Sequence, residues 1–191
     1  MGGSMRVVIL FSGGMDSSLL AQIAAERSED VALLFVDYGQ PHVHAERRAA
    51  RQVAGDLGLF GVYREAVATL AGGFVGLDRA GAKVVPARNA ALLALATNYA
   101  AAHGAEEVWI GACAADAKDF HDCRSEFIDA WNFTMRASGV PVVAKAPLVM
   151  ATKAEIRHRL GVTLGATWSC YHPKEDLKPC GECGACHARR A

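Results

Sequence analysis

Two stretches of this sequence hold residue types whose spacing can do chemistry. The first, Leu10 to Ser18, reads LFSGGMDSS: an apolar run ends, two glycines follow, then an aspartate and two serines. Gly13 and Gly14 carry no Cβ, so backbone N–H groups there can approach an anion closely. A helix opening behind them would add free N–H donors and a favourable dipole. Ser12, Ser17 and Ser18 supply hydroxyl donors. The chemistry implied is phosphate or pyrophosphate binding, although the stretch matches neither GxxxxGK(S/T) nor GxGxxG. Asp16 is the informative residue. A carboxylate beside a phosphate repels it unless a cation lies between them, so Mg²⁺ is expected with the nucleotide. The plain alternative is a tight turn of any α/β protein.

The second stretch holds Cys170, Cys180, Cys183 and Cys186, four of the six cysteines. Two CxxC steps share Cys183. Thiolates three residues apart around a glycine turn converge on one tetrahedral ion, and four sulfurs fill its shell. The reading is a structural Zn²⁺ site. An iron–sulfur cluster could use the same ligands, and a redox CxxC is the remaining alternative. Cys113 and Cys123 read as inert buried thiols.

Alternating elements must position these groups. Met5 to Phe11 reads as a buried strand, the residues after the glycines as a helix, DVALLFVDYG as a second buried strand, and VHAERRAARQVAGDLG as a helix ended by Gly58. A weaker strand, GVYREAVAT, precedes a Gly-rich loop from Ala71 to Gly81. ARNAALLALATNYAAAHG is apolar on most sides and reads as a deeply buried helix closing on Gly104. EEVWIGAC follows as a strand, AADAKDFHDC as a polar loop, RSEFIDAWNFTMRASG as a helix and VPVVAKAPL as a strand. TKAEIRHRLG is a short helix with Thr152 as its N-cap. Strand–helix alternation implies a parallel doubly wound sheet of the α/β class, with helices on both faces. The boundaries read as one domain over residues 5–165, a cysteine tail over 166–191 packed on it, and an expression remnant at 1–4.

The chain has 191 residues, with 20 basic and 20 acidic side chains. Zero net charge gives no global field toward nucleic acid or membrane, and neither partner is expected. Arg47, Arg48 and Arg51 read as a solvated helix face, and His42 and His44 as surface residues. The start lacks a basic region followed by an apolar run, so a cytoplasmic protein is expected. Thiols in that compartment serve as metal ligands or catalytic groups more often than as disulfides. Arg88 stands where a loop enters a helix, an awkward place for an unpaired charge, which calls for a ligand or an ion-pair partner.

SGGMDS resembles the SGGxDS pyrophosphate loop of the N-type ATP pyrophosphatases, which adenylate a carboxylate or carbonyl. TKAEI (152–156) resembles a second stretch of that superfamily, whose lysine faces the phosphates; Lys153 takes that place. DYGQ (37–40), VPARN (85–89), DCRSEF (122–127), TWSCY (167–171) and CGECGAC (180–186) occur in order. The ordered set resembles the QueC family over essentially the whole chain from Met5.

The resemblance implies a Rossmann-like sheet of the adenine nucleotide alpha-hydrolase type. It also implies a homodimer that uses ATP with Mg²⁺, 7-carboxy-7-deazaguanine and ammonia. The acid would be adenylated, aminated to the amide, activated again by a second ATP, and dehydrated to the nitrile. A variant of this reading stops at the amide or passes the acyl group to another amine, one on a protein included. ATP contacts would come from Phe11, Ser12, Gly13, Gly14, Asp16, Ser17 and Ser18. Asp16, Lys153 and Arg88 would be catalytic. Asp116, Asp122 and Arg124 would bind the deazaguanine acid, with helix capping as the alternative for Asp122. Where the family reads close to Ser-Gly-Tyr-Pro, this chain has Lys118-Asp119-Phe120-His121. An inward Lys118 would favour the carboxylate over the neutral amide.

Overall fold

A computed structural model describes residues 6–27, 30–70 and 85–190. The Gly-rich loop of 71–81 and the proposed remnant at 1–4 lie outside the described residues. The strands are β1 (Val7–Leu10), β2 (Val31–Asp37), β3 (Tyr63–Val67), β4 (Glu107–Trp109) and β5 (Val143–Lys145). All neighbouring pairs are parallel, in the order β3-β2-β1-β4-β5. β1 and β2 are continuous apolar runs because helices cover both faces of the sheet.

Successive side chains of a strand point to opposite faces, and the two cores divide accordingly. Val7, Ile9 and Phe11 pack with α1 (Met15–Glu26), α2 (Val43–Asp56) and, through Ile156 and Leu160, the helix Lys153–Leu160. Val8 and Leu10 pack on the other face with Leu93, Ala96 and Ala100 of α3 (Arg88–Ala102) and with Ile128 further along the chain. α3 is more one-sided than its composition suggests. Only Asn89, Leu93, Ala96, Thr97 and Ala100 are buried, because small alanines can face solvent at little cost. The polar loop before residue 124 contains a short helix, α4 (Asp116–Asp119), and a 3₁₀ turn over His121–Cys123. The remaining helices are α5 (Ser125–Ala137), α6 (Lys153–Leu160) and α7 (Gly184–Arg190). No helix among the described residues is long and apolar enough to cross a membrane.

The chain runs outward from β1 to β2 and β3, then returns to β4 on β1's other side. The carboxyl ends of β1 and β4 thus diverge into loops on opposite faces, leaving a crevice where ligands bind in such sheets. A third, smaller core joins Trp168, Cys170, Cys183 and Cys186 to Ala45 and Ala49 of α2. The cysteine tail therefore rests on the helix that lies behind the glycine loop.

Candidate active site

The glycine loop leaves the end of β1 and enters α1 with Gly14 as its N-cap. Ser12 and Ser17 tie the two ends together. Ser17 Oγ accepts from Ser12 N at 3.3 Å and donates to Gly14 O at 3.2 Å, while Gly14 N donates to Ser12 Oγ at 3.2 Å. Gly13 has φ +75°, and a Cβ there would lie 2.4 Å from Ala50 N. Its glycine is required twice, by backbone conformation and by the approach to α2. Gly13 O accepts from Trp168 N at 2.8 Å, so the start of the tail braces the loop. Ser18 is fully buried, and its Oγ has no partner among the described residues. Phe11 contributes only its backbone here, because its ring lies in the core, edge-on to Tyr63.

Gly111, which sequence reasoning passed over, follows β4 and lies against α1. A Cβ on it would stand 3.0 Å from Ser17 N and 3.1 Å from Asp16 Cβ. Its small size lets the helix start reach the crevice. No local sequence pattern marks such a contact, since it arises between segments that only the sheet brings together.

Asp16 in the first turn of α1 meets Lys153 in the first turn of α6. Lys153 Nζ lies 2.7 Å from Asp16 Oδ2 and 3.2 Å from Asp116 Oδ2. α6 begins in a capping box: Thr152 Oγ1 accepts from Glu155 N, and the Glu155 carboxylate accepts from Thr152 N at 2.7 Å. Such a cap is worth about 1 kcal/mol and fixes the turn that aims Lys153. Burial opposes the Lys153 charge, but Asp16 and Asp116 outweigh it and hold its pKa above the ordinary lysine value. Burial raises the Asp16 pKa; Lys153 opposes that rise and Asp116 adds to it. Asp16 Oδ1 is buried without a hydrogen-bond partner among the described residues. Asp116 also accepts from Cys113 N at 3.3 Å. Asp116, proposed from sequence as a deazaguanine contact, thus stands beside Lys153 and Asp16. Cys113 is buried, and that burial pushes its pKa up.

A second cluster opens α3. Burial opposes the Arg88 charge, yet Tyr38, with Asp122 and Cys123 beyond it, raises its pKa overall. Burial likewise pushes the Tyr38 phenol up. Asp122 caps α3 rather than its own helix. Its Oδ2 accepts from Asn89 N at 3.4 Å, and its backbone oxygen accepts from Asn89 Nδ2 at 3.2 Å. Arg124 Nε donates to Ala117 O at 2.9 Å, which ties down α4. Cys123 is buried against Asn89, and burial pushes its thiol up to about 12. Ala87, at the N-cap of α3, adopts φ +52° without being glycine. Lys118 and His121 are exposed, so the inward lysine required for a preference between acid and amide is not what the structure shows.

Two surface assignments also change. His42 is largely buried, with Nε2 3.3 Å from Glu46 Oε1, whereas His44 is exposed. Arg47 bridges Asp37 at 2.6 Å and Glu65 at 3.0 Å, and Arg51 joins Glu65 at 2.7 Å. These two arginines clamp α2 to β2 and β3. The acidic partners on neighbouring strands could not be matched to them from helix spacing.

The sulfurs of Cys170, Cys180, Cys183 and Cys186 all lie within 4.8 Å of one another. The separations include 3.5 Å for Cys170–Cys180, 3.9 Å for Cys180–Cys186 and 4.0 Å for Cys183–Cys170. A tetrahedron with metal–sulfur bonds of about 2.3 Å has edges of about 3.8 Å, so the four sulfurs fit one ion. Glu182 N and Cys183 N donate to Cys180 Sγ, each at 3.4 Å. Those donors push the Cys180 thiol down to about 6, toward the thiolate that a metal needs.

The family model for queuosine biosynthesis protein QueC matches residues 6–72 and 75–191. The chain belongs to the QueC family. A 7-cyano-7-deazaguanine synthase from Erythrobacter litoralis (strain HTCC2594) is 38% identical over 204 residues, covering 95% of this chain and 85% of the relative. Another, from Methanospirillum hungatei JF-1, is 37% identical, covering 97% and 93%. Solved structures share the fold at low identity. NMN synthetase from Francisella tularensis has a TM-score of 0.54 at 18% identity, covering 84% of this chain and 62% of that one. U34-tRNA thiolase NcsA from Methanococcus maripaludis, solved with its 4Fe-4S cluster, has a TM-score of 0.58 at 14% identity, covering 98% and 64%. In this QueC-family chain, residues of the glycine loop, VPARN, DCRSEF and TKAEI lie in the loops or first helical turns that follow β1, β3, β4 and β5.

Proposed function

We propose that this chain is a ligase that converts 7-carboxy-7-deazaguanine and ammonia to 7-cyano-7-deazaguanine at the expense of two ATP. Family membership supports the overall reaction. The observation that carries the chemistry is the Asp16–Lys153–Asp116 cluster beside a glycine loop at a helix start. A carboxylate is a poor electrophile because its oxygens leave badly. Adenylation supplies a good leaving group, and the attack brings anionic oxygens together that fixed cations and dipoles must offset.

In this reading the N–H groups at Gly14 and the first turn of α1, with Ser12, Ser17 and Ser18, receive the departing pyrophosphate. Asp16 would hold Mg²⁺ through Oδ1, the buried oxygen left open while Oδ2 faces Lys153. When bound, the ion supplies positive charge between this carboxylate and the phosphates. Lys153, kept charged by its two carboxylates, stabilises the α-phosphate as the acid's oxygen attacks phosphorus and pyrophosphate leaves. Arg88 serves the same phosphate from the α3 side. Ammonia then adds at the acyl carbon and AMP leaves, giving the amide. The amide oxygen attacks the α-phosphorus of a second ATP and displaces pyrophosphate, and loss of AMP with the two N–H protons gives the nitrile. Asp122 and Arg124 would contact the deazaguanine acid. Cys170, Cys180, Cys183 and Cys186 would hold a structural Zn²⁺ that closes the tail.

The test is mass spectrometry of products from 7-carboxy-7-deazaguanine, ATP, Mg²⁺ and ammonium, with AMP counted alongside. Two AMP per nitrile is the expected result. An amide that accumulates as the sole product, or AMP formed without change in the acid, overturns the reading.

A further inference from the structure

His42 opens α2 directly after β2, at the same edge of the sheet as the glycine loop. Its imidazole is 14% exposed, and Nε2 lies 3.3 Å from Glu46 Oε1. The other Glu46 oxygen accepts from Gln40 Nε2 at 2.9 Å. Gln40 is itself buried, accepting from Tyr38 N at 2.9 Å and donating to Val36 O at 3.2 Å. Glu46 is therefore held in place beside Nε2, and a proton on Nε2 would face its carboxylate. Nδ1 is then left as the lone-pair nitrogen. It is buried and has no partner among the described residues. A buried acceptor without a donor calls for a small ligand.

The surroundings limit what that ligand is. Tyr171 packs on the imidazole with ring centroids 5.8 Å apart, three residues beyond the Trp168 N–H that holds Gly13. On the other side Glu46 interacts with Tyr38, which bonds Arg88. Glu46 on its own helix and Tyr171 on the tail flank His42. Tyr38 and Arg88 lie beyond Glu46. The amination step needs a base, because ammonium has no lone pair to attack with. Lys153 and Arg88 are held as cations and cannot accept its proton.

We propose that His42, fixed by Glu46 and Gln40, is the base that takes a proton from ammonium at Nδ1. One N–H bond of ammonium breaks, its electron pair stays on nitrogen, and the proton moves to His42. The nitrogen pair then forms the C–N bond to the acyl adenylate. The bond from acyl carbon to the adenylate oxygen breaks, and AMP leaves with that electron pair. A second N–H proton passes to the departing phosphate or to solvent, and His42 returns its proton to solvent. The proposal rests on the adenylation reading above.

The experiment separates two half-reactions in the wild type, His42→Asn and Glu46→Gln. Pyrophosphate–ATP exchange driven by 7-carboxy-7-deazaguanine reports adenylation. Product formed with ammonium or hydroxylamine reports amination; hydroxylamine is already unprotonated near neutral pH and needs no such base. His42→Asn should lower ammonium-dependent amide formation by about a hundredfold or more. It should spare exchange and hydroxamate formation to within a few-fold. The ammonium deficit should narrow as rising pH supplies free ammonia. Glu46→Gln should show the same pattern more weakly. Ammonium and hydroxylamine rates that fall together, or ammonium rates that do not fall, would overturn the proposal and leave Nδ1 to an ordered water. Absence of exchange in the wild type would instead defeat the adenylation reading and this proposal with it.

Discussion

Substituting Gly13 by alanine would drive a methyl group into the backbone of α2. The added Cβ would stand 2.4 Å from Ala50 N, 2.8 Å from Ala50 Cα and 2.9 Å from Ala49 C. None of these atoms can swing aside, since Ala49 packs against the cysteine core and Ala50 against the sheet core. The loop cannot retreat freely either, because Gly13 O is held by Trp168 N. Alanine at φ +75° adds a left-handed penalty of about 1–2 kcal/mol, and overpacking adds about 1–3 kcal/mol. The expected loss is about 2–5 kcal/mol, or a fall in Tm of about 4–20 °C for a chain of this size.

Gly14→Ala is the matched comparison. Its φ of −73° suits any residue, and its Cβ would meet only Ser12 Oγ at 3.2 Å and Trp168 O at 3.4 Å. That methyl sits in the cradle and should weaken nucleotide binding more than it weakens the fold. Differential scanning calorimetry and ATP titration of both variants separate the two effects. A Gly13→Ala protein melting within about 2 °C of the parent, or no better an ATP binder than Gly14→Ala at equal stability, would refute the reasoning.

Asp16→Asn should abolish ATP-to-AMP turnover yet match or exceed the parent's stability at neutral pH. Burial raises the folded-state pKa of Asp16, so its charge destabilises the fold above that value and ceases to do so once protonated. The variant's advantage should therefore shrink as pH falls through the raised pKa, which urea titrations across acid pH would measure. Elemental analysis should find about one Zn²⁺ per chain, and Cys183→Ser should lower Tm because a structural metal contributes directly to folding; iron with sulfide would reject that assignment. Ala87→Gly should raise stability by about 1 kcal/mol or less, since glycine relieves the left-handed strain at φ +52° but loses more backbone entropy on folding; a lower denaturation midpoint would contradict this.

Much of the architecture was legible because its signals are local. Apolar runs of β1 and β2, the Thr152 cap and the spacing of Cys180, Cys183 and Cys186 need only neighbouring residues to be read. What stayed hidden depends on chain crossing. Asp122 was read as a substrate contact, with a cap on the helix after it as the alternative, but it caps α3 across a separation of 33 residues. Arg47 looked solvated until β3 brought Glu65 beside it. His42 looked exposed because a polar loop residue gives no sign of the tail that will cover it. Gly111 was passed over because only the switch between β1 and β4 sets it against Asp16.

The tail and the phosphate loop are mechanically joined, and this bears on what the metal is for. Trp168 N–H holds Gly13 O at 2.8 Å, and the Trp168 indole donates to Cys170 O at 2.8 Å. Cys170 is one of the four sulfur donors, so two hydrogen bonds separate a metal ligand from the loop proposed to receive pyrophosphate. Arg189 of α7 adds a strap to Thr167 and Leu164 on the other side of Trp168. With an ion bound, Cys170 would be fixed to Cys180, Cys183 and Cys186, and Trp168 would be anchored from both sides. Without it, nothing covalent or coordinate would restrain the tail, and Gly13 would lose a rigid partner for its carbonyl. Metal loss should then weaken ATP binding as well as lowering Tm, even though no cysteine lies among the residues assigned to ATP. A structural ion placed on the third core would thus pre-organise the loop across α2, at a distance from the proposed reacting atoms.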